Sequence, residues 1–180
     1  KYGTDALRFS IISITSQGQD VFLSEGKFEL GRNFANKIWN ASRFILMNLK
    51  NENVAKDLCV FYKGSKLSLP DRWILSRLYS TLDCVTRCLD EYKFNEAANA
   101  TYEFLWHEFC DWYIEIAKSR IGEAPAQTIL YKVLEKALRM LHPFMPFITE
   151  EVWQKFSTGP NKEGSIMIEP WPHLQKEMIS

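Results

Sequence analysis

Glycine and proline are scarce in this chain, at 8 and 7 of 180 residues. That excludes a collagen-like or low-complexity polymer and leaves room for long, unbroken elements. No apolar run is long enough to span a bilayer, and no secretory signal opens the chain. No membrane partner is therefore expected, and the expected location is cytoplasmic. No cysteine sits in a Cys-x-x-Cys pair. Cys59, Cys84, Cys88 and Cys110 read as free, metal-free thiols of a reducing compartment. A metal site would pair Cys84 with Cys88 and His107 with Cys110 on shared helix faces, but structural zinc sites carry tighter cysteine spacings. Excess charge is absent too: 22 Lys and Arg face 22 Asp and Glu, which argues against an indiscriminate polyanion binder. No methionine precedes Met47, and the chain opens on Lys1. The expectation is a piece of a longer protein.

Catalytic constellations are missing as well. The sequence holds no Gly-rich phosphate loop. His107 and Glu108 begin a His-Glu-x-x-His pattern, but Asp111 stands where the second histidine would be needed. The aromatics of residues 102 to 113 recur at helical spacing and read as core, with His107 at its rim beside Trp106. No catalytic residue is assigned.

What the chain does have is core-forming material, 46% hydrophobic and 14% aromatic. A chain of this length buries roughly 70% of its unfolded surface and needs no disulfide or metal to fold. Apolar residues at helical spacing predict a short entry helix over 4–14, capped by Thr4, with Asp5 in its first turn. A polar, Gly-containing loop follows to Gly26, then a long helix over 27–49. Residues 50 to 67 read as a connector around Val60 to Tyr62. Ser68-Leu-Pro-Asp71 is a capping pattern that opens a second long helix through Ile74, Leu78, Leu82, Val85 and Leu89. A third carries Phe94, Ala97, Thr101, Leu105, Phe109, Trp112 and Ile116 on one face. Gly122 and Pro125 break the chain, a fourth helix runs from about Thr128 to His142, and Pro146 opens a short fifth. Ser165 to Pro172 suits an extended tail lying on the bundle. The predicted class is all-α: a bundle of about five helices with a helical entry and an extended C-terminal tail. The domain reading is 1–26 as entry and link, 27–158 as the helical domain, and 159–180 as the tail.

The charges are segregated. Residues 26 to 50 carry Lys27, Arg32, Lys37, Arg43 and Lys50 against Glu29 alone, whereas residues 89 to 115 carry seven carboxylates against Lys93 alone. The two segments could be solvated faces that pair with each other. On a helical wheel, Phe34, Ile38, Ala41, Ile45 and Leu49 form one apolar arc. Asn33, Asn36, Lys37, Asn40, Arg43 and Phe44 form another. Amides that read base edges, cations that hold phosphates and an aromatic on which a base can stack are what unpaired RNA calls for. The same arc also fits a solvated face with one exposed Phe.

Gly31-Arg32-Asn33-Phe34-Ala35-Asn36-Lys37-Ile38-Trp39-Asn40-Ala41-Ser42-Arg43-Phe44 resembles the signature opening of the anticodon-binding domain in valyl-tRNA synthetases. Lys1 to Phe9 resembles the segment just after that family's catalytic Lys-Met-Ser-Lys-Ser loop. Leu69 to Leu75 is similar to the start of its next helix, Phe109 to Lys118 to its Phe-Cys-Asp-Trp-Tyr-Ile-Glu helix, and Leu141 to Trp153 to its Pro-Phe-Met-Pro-Phe-Ile-Thr-Glu-Glu segment. The last two are shared loosely with the isoleucine, leucine and methionine enzymes. The polar connector, Asn51 to Ser65, is the departure from the pattern.

The resemblance implies that Lys37, Asn40, Arg43 and Phe44 hold the anticodon of a valine tRNA. Phe44 would stack on a base, Asn40 would bond a base edge, and Lys37 and Arg43 would hold phosphate or base oxygens. Arg32, Asn33 and Asn36 are candidate additional contacts. It implies no cofactor in these residues. ATP and magnesium would belong to a catalytic domain of the same parent chain, which would join valine to its tRNA. Two alternatives are a helical scaffold whose basic helix docks an acidic partner and the same module from an isoleucine enzyme.

Overall fold

The computed structural model describes residues 1–15, 20, 23–49, 67–156 and 164–173. Its elements are α1 (Thr4–Ile14), α2 (Glu25–Asn48), α3 (Leu69–Asp90), α4 (Phe94–Glu103), a π-helix (Phe104–Tyr113), α5 (Ile114–Lys118), α6 (Ala124–Leu141), α7 (Pro146–Phe156) and a 3₁₀ turn (Ile166–Ile168). Among the described residues there is no strand, so the all-α expectation holds. Counting α4, the π-helix and α5 as one continuous rod, five rods make the bundle among the described residues, and α1 is the helical entry. Residues 50–66 of the connector, Cys59 among them, lie outside the described residues.

α6 sits at the centre. Two thirds of its residues are buried, from Ala126 to Leu141, as expected of a helix that is apolar on most of its circumference. It starts at Ala124, four residues before the predicted Thr128. Pro125 lies inside its first turn, where the missing N–H costs nothing, and so opens the helix instead of breaking the chain. α3 opens as predicted: the Asp71 carboxylate accepts from the Ser68 backbone N–H at 3.0 Å, with Pro70 in the first turn.

α1 keeps its predicted bounds, but its cap is Gly3, not Thr4. The chain enters at φ 90°, a conformation that only glycine adopts without strain. Asp5 instead serves another helix. Its carboxylate accepts from the N–H groups of Phe147 (3.3 Å) and Ile148 (2.6 Å), two of the otherwise orphaned donors at the start of α7. Phe9 is buried against Phe34, ring centres 5.0 Å apart. Gly31 lets α1 lie directly on α2, for a β-carbon there would stand 2.5 Å from the Ala6 carbonyl oxygen. On the outer side, Leu7 and Ile11 are exposed, while Ile12 and Ile14 are half-buried.

The third rod keeps its predicted face at Ala97, Thr101, Leu105 and Phe109, all buried, and departs from it at both ends. Trp112 is 64% exposed, and Phe94 and Ile116 are exposed too, whereas Phe104, Cys110, Tyr113 and Ile114 are buried. Phe94 is the exposed first residue of α4, while for Trp112 and Ile116 the cause is the ten-residue π-helix. Its i→i+5 pattern takes more residues per turn than an α-helix, so a 3.6-residue count drifts out of phase along it.

The described part of the tail, residues 164–173, is extended apart from the turn at Ile166–Ile168. Glu150 accepts from Ser165 Oγ (2.6 Å) and Ile166 N–H (3.2 Å). Arg139 donates to the Pro170 carbonyl at 2.9 Å, and Trp171 Nε1 donates to Thr86 Oγ1 at 2.9 Å. Ile166 and Pro172 are buried against the bundle.

Candidate nucleic-acid interface

α2 positions every residue of the candidate site. Its apolar arc faces inward as the wheel predicts. Phe34, Ile38 and Ile45 are at most 1% exposed, and Ala41 and Leu49 are half-buried. With that face fixed by burial, the polar residues are forced outward. The structure then sorts the seven candidates into a ridge of four, a flank of two and one outlier.

Asn33, Asn36, Asn40 and Arg43 are exposed and form the ridge. Arg43 makes no ion pair among the described residues. Arg32 leaves the group: it turns toward the start of the chain, 3.9 Å from Glu29 and 5.8 Å from the centre of the Tyr2 ring.

Lys37 and Phe44 occupy the flank that faces the π-helix. The Lys37 ammonium pairs with the Asp111 carboxylate and lies 4.0 Å from the centre of the Trp106 ring. It is a partly buried, charge-compensated cation, not a free one. Asp111 is also 3.5 Å from His107 Nδ1. Phe44 is half-buried, with its inner edge against the core and the Lys118 ammonium 5.6 Å from its ring centre. It is neither a freely exposed platform nor a core residue.

Asp111, Trp106 and Lys118 are site neighbours that the sequence reading did not single out. The only signal for Asp111 was the acidic segment opposite the basic one, and Lys37–Asp111 is one point where those segments meet. His107 points to Glu103 and Asp111, while Cys110 is buried. The two therefore do not share a face, contrary to the metal-site alternative. Burial pushes the Cys110 thiol up to about 12. Cys84, Cys88 and Cys110 are unbridged, and no helix among the described residues is long and apolar enough to cross a membrane.

On the other flank of α2, toward α7, lies an open groove of about 430 Å³ lined by Trp39, Ser42, Arg43, Leu46, Val152 and Lys155. Trp39 forms one wall, with the Lys155 ammonium 5.3 Å from its ring centre. Nothing in the wheel distinguished this flank.

Taken together, a helical bundle displays amides and cations along one helix, with an aromatic on each flank. Residues 71–179, more than half of the chain, match the family described as the anticodon-binding domain of tRNA ligase. The chain belongs to that family. α2 lies ahead of the matched span, but more extensive relatives include it. The chain is 47% identical to the valine–tRNA ligase of Fusobacterium nucleatum over 99% of its length, and 45% identical to that of Thermotoga maritima over 99%. It spans about one fifth of the length of each, 20% in both cases. In fold it is similar to part of the LeuRS of Agrobacterium radiobacter K84, solved in a ternary complex with tRNA and LeuAMS. There the TM-score is 0.69 at 18% identity, covering 98% of this chain and 20% of that one.

Proposed function

We propose that this chain is the anticodon-binding part of a valine–tRNA ligase and that the outer face of α2 reads the anticodon. The observation that carries the reading is the ridge of Asn40 and Arg43, exposed beside a half-buried Phe44, within a chain 45–47% identical to valine–tRNA ligases. Phe44 offers the outer part of its ring to a base, Asn40 bonds a base edge, and Arg43 takes phosphate or a base oxygen. Lys37, already neutralised by Asp111, suits a base oxygen better than a phosphate. Asn33 and Asn36 extend the face, and Arg32 lies at its far end.

The proposed division of labour follows. Residues 1–26 link to a catalytic domain of the same parent chain, 27–158 bind RNA, and 159–180 pack as the tail. The parent acts in the cytoplasm and joins valine to its tRNA. ATP and magnesium serve that step in the catalytic part; the residues here offer no phosphate loop for them.

The test is binding of the 180-residue chain to the anticodon stem-loop of a valine tRNA. Affinity should fall when the anticodon is exchanged for that of an isoleucine tRNA, and should fall with rising salt. Equal affinity for both loops would refute the valine assignment. Valine-dependent exchange of pyrophosphate into ATP by this chain alone would refute the division of labour.

A further inference from the structure

Lys37 is held from two sides, and both holders stand on the π-helix. Its ammonium pairs with the Asp111 carboxylate and lies 4.0 Å from the centre of the Trp106 ring. The Trp106 ring is itself backed by Tyr102, stacked on it at 5.4 Å, and Tyr102 by the buried Phe34 at 4.9 Å. The cation therefore rests on an aromatic stack that reaches the core. Trp106 and Asp111 are five residues apart. In an α-helix, at 3.6 residues per turn, side chains five apart diverge by about 140°. A π-helix, whose hydrogen bonds span i→i+5, brings them onto one face. Phe104 and Phe109 show the same register: they too are five apart, and their rings lie 6.4 Å from each other and 11° from parallel. An α-helical rod could present Trp106 or Asp111 to Lys37, but not both.

A lysine ammonium carries three N–H donors and ordinarily turns freely as a point charge. Here one donor goes to Asp111 and another side of the ammonium to the π face of Trp106. We infer that the π-helix is a specificity device: by clamping Lys37 between Trp106 and Asp111 it leaves one N–H for the RNA, so that this lysine reads a single hydrogen-bond acceptor on an unpaired base. That acceptor is a keto oxygen or an unprotonated ring nitrogen. An exocyclic amine at the same place offers no acceptor and is rejected. Asp111 meanwhile cancels the charge that a phosphate would seek. Trp106 is thus a positioning residue, which acts on the base through Lys37. The inference rests on the anticodon-binding reading.

The test measures binding of the 180-residue chain to anticodon stem-loops of a valine tRNA from which one base acceptor atom at a time is removed, by deaza or deoxo analogues in the loop. For the native chain one deletion should cost about tenfold in affinity, the worth of a charged hydrogen bond. Lys37→Ala should bind that loop and the unmodified one alike. Trp106→Leu keeps bulk but loses the π face, and should cut the penalty to below about threefold, while Trp106→Phe should restore most of it. Lys37→Arg should bind both loops yet cut the penalty in the same way, because these two partners cannot reduce a planar five-donor fork to one donor. A Trp106 that served the fold alone would weaken both loops together in Trp106→Leu and leave the penalty intact, and that result overturns the clamp. So does a native chain for which no deletion costs more than it costs Lys37→Ala. Should Trp106→Leu fail to fold, Lys37→Arg decides: the full penalty there overturns the single-donor clamp. If the native chain still prefers the valine loop to an isoleucine loop in the same titrations, the anticodon reading stands and the clamp alone is lost. If it shows no preference, both fall together.

Discussion

Two ion pairs tie the long helices to the π-containing rod and its end; their cations are about equally exposed, and they differ mainly in the burial of the carboxylate. Asp71 on α3 is 1% exposed and gathers three donors: its own cap N–H from Ser68, the Tyr113 hydroxyl at 2.9 Å and Arg120 Nη1 at 3.1 Å. Arg120 also donates from Nη1 to Ser68 Oγ (2.7 Å) and from Nε to Glu123 (2.9 Å). Burial and the Asp71 carboxylate push the Tyr113 hydroxyl well above the ordinary phenol range, so it stays a proton donor. Lys37–Asp111 uses the same kinds of group, yet its side chains are 23% and 43% exposed, and it borders the proposed reading face. A charge out of water must be fully satisfied, so the first pair is fixed. The second is cheap to open, because water can replace either partner. The same chemistry is thus structural in one place and available to a ligand in the other.

The sharpest way to break this contrast is Asp71→Ala. It leaves the buried Tyr113 hydroxyl without its acceptor, takes one of several partners from Arg120 and removes half of a cap, so it should cost about 2–4 kcal/mol of stability. Denaturant unfolding reads it directly. Whatever fraction stays folded should bind RNA as before. A loss below about 1 kcal/mol would mean that burial does not separate the two pairs as argued.

That pair also marks how far the sequence could be read. The Ser68–Asp71 cap was legible because capping is local, four residues with a known pattern. Arg120 and Tyr113 were not, because they meet Asp71 only after the rod folds back across some fifty residues. The α2 arc was legible for a similar reason: one regular helix holds its 3.6-residue period across Phe34, Ile38 and Ile45. Trp112 went wrong because the period itself changes within residues 104–113, and nothing in the residue types announces it. Candidates on the α2 wheel could be grouped by angle, but not by what lies opposite each angle. Hence Lys37 looked like a free cation and the Trp39 flank went unremarked. Asp5 is the same case in miniature, since its partner helix starts some 140 residues later.

A middle-sized effect separates the half-buried from the buried side of α2. Ile38 lies in the core, so Ile38→Ala should cost about 2–5 kcal/mol of stability and little RNA affinity in the folded state. Phe44→Ala should divide its cost. Only the inner edge of the ring is packed, so the stability loss should be about 1–2 kcal/mol, short of the 3–5 typical of a fully buried Phe. RNA affinity should fall by about 1–3 kcal/mol, the usual worth of one base–aromatic stack. Unfolding and binding measured on the same two proteins check the split. A Phe44→Ala chain that unfolds early and binds RNA normally would assign the ring to the core alone.

The smallest effects test the exposed pair itself. A lysine that held a phosphate would lower the salt slope of binding by about one unit when removed. Lys37 is compensated by Asp111, so Lys37→Ala should leave that slope nearly unchanged and change stability by no more than about 1 kcal/mol. What it should reduce is discrimination, the ratio of affinities for the native and exchanged anticodon loops, because a positioned donor to a base oxygen is lost. Asp111→Asn provides the converse. It keeps the shape beside Trp106 and His107 but frees the ammonium charge. The freed cation should attract any nearby phosphate, steepening the salt slope and tightening binding to both loops while the ratio between them shrinks. Titrations of both variants at several salt concentrations read all of these quantities together. If Lys37→Ala lowers the slope by a full unit and Asp111→Asn leaves it untouched, then the pair opens fully on binding. Lys37 is in that case a phosphate contact after all, and the compensation by Asp111 belongs only to the free protein.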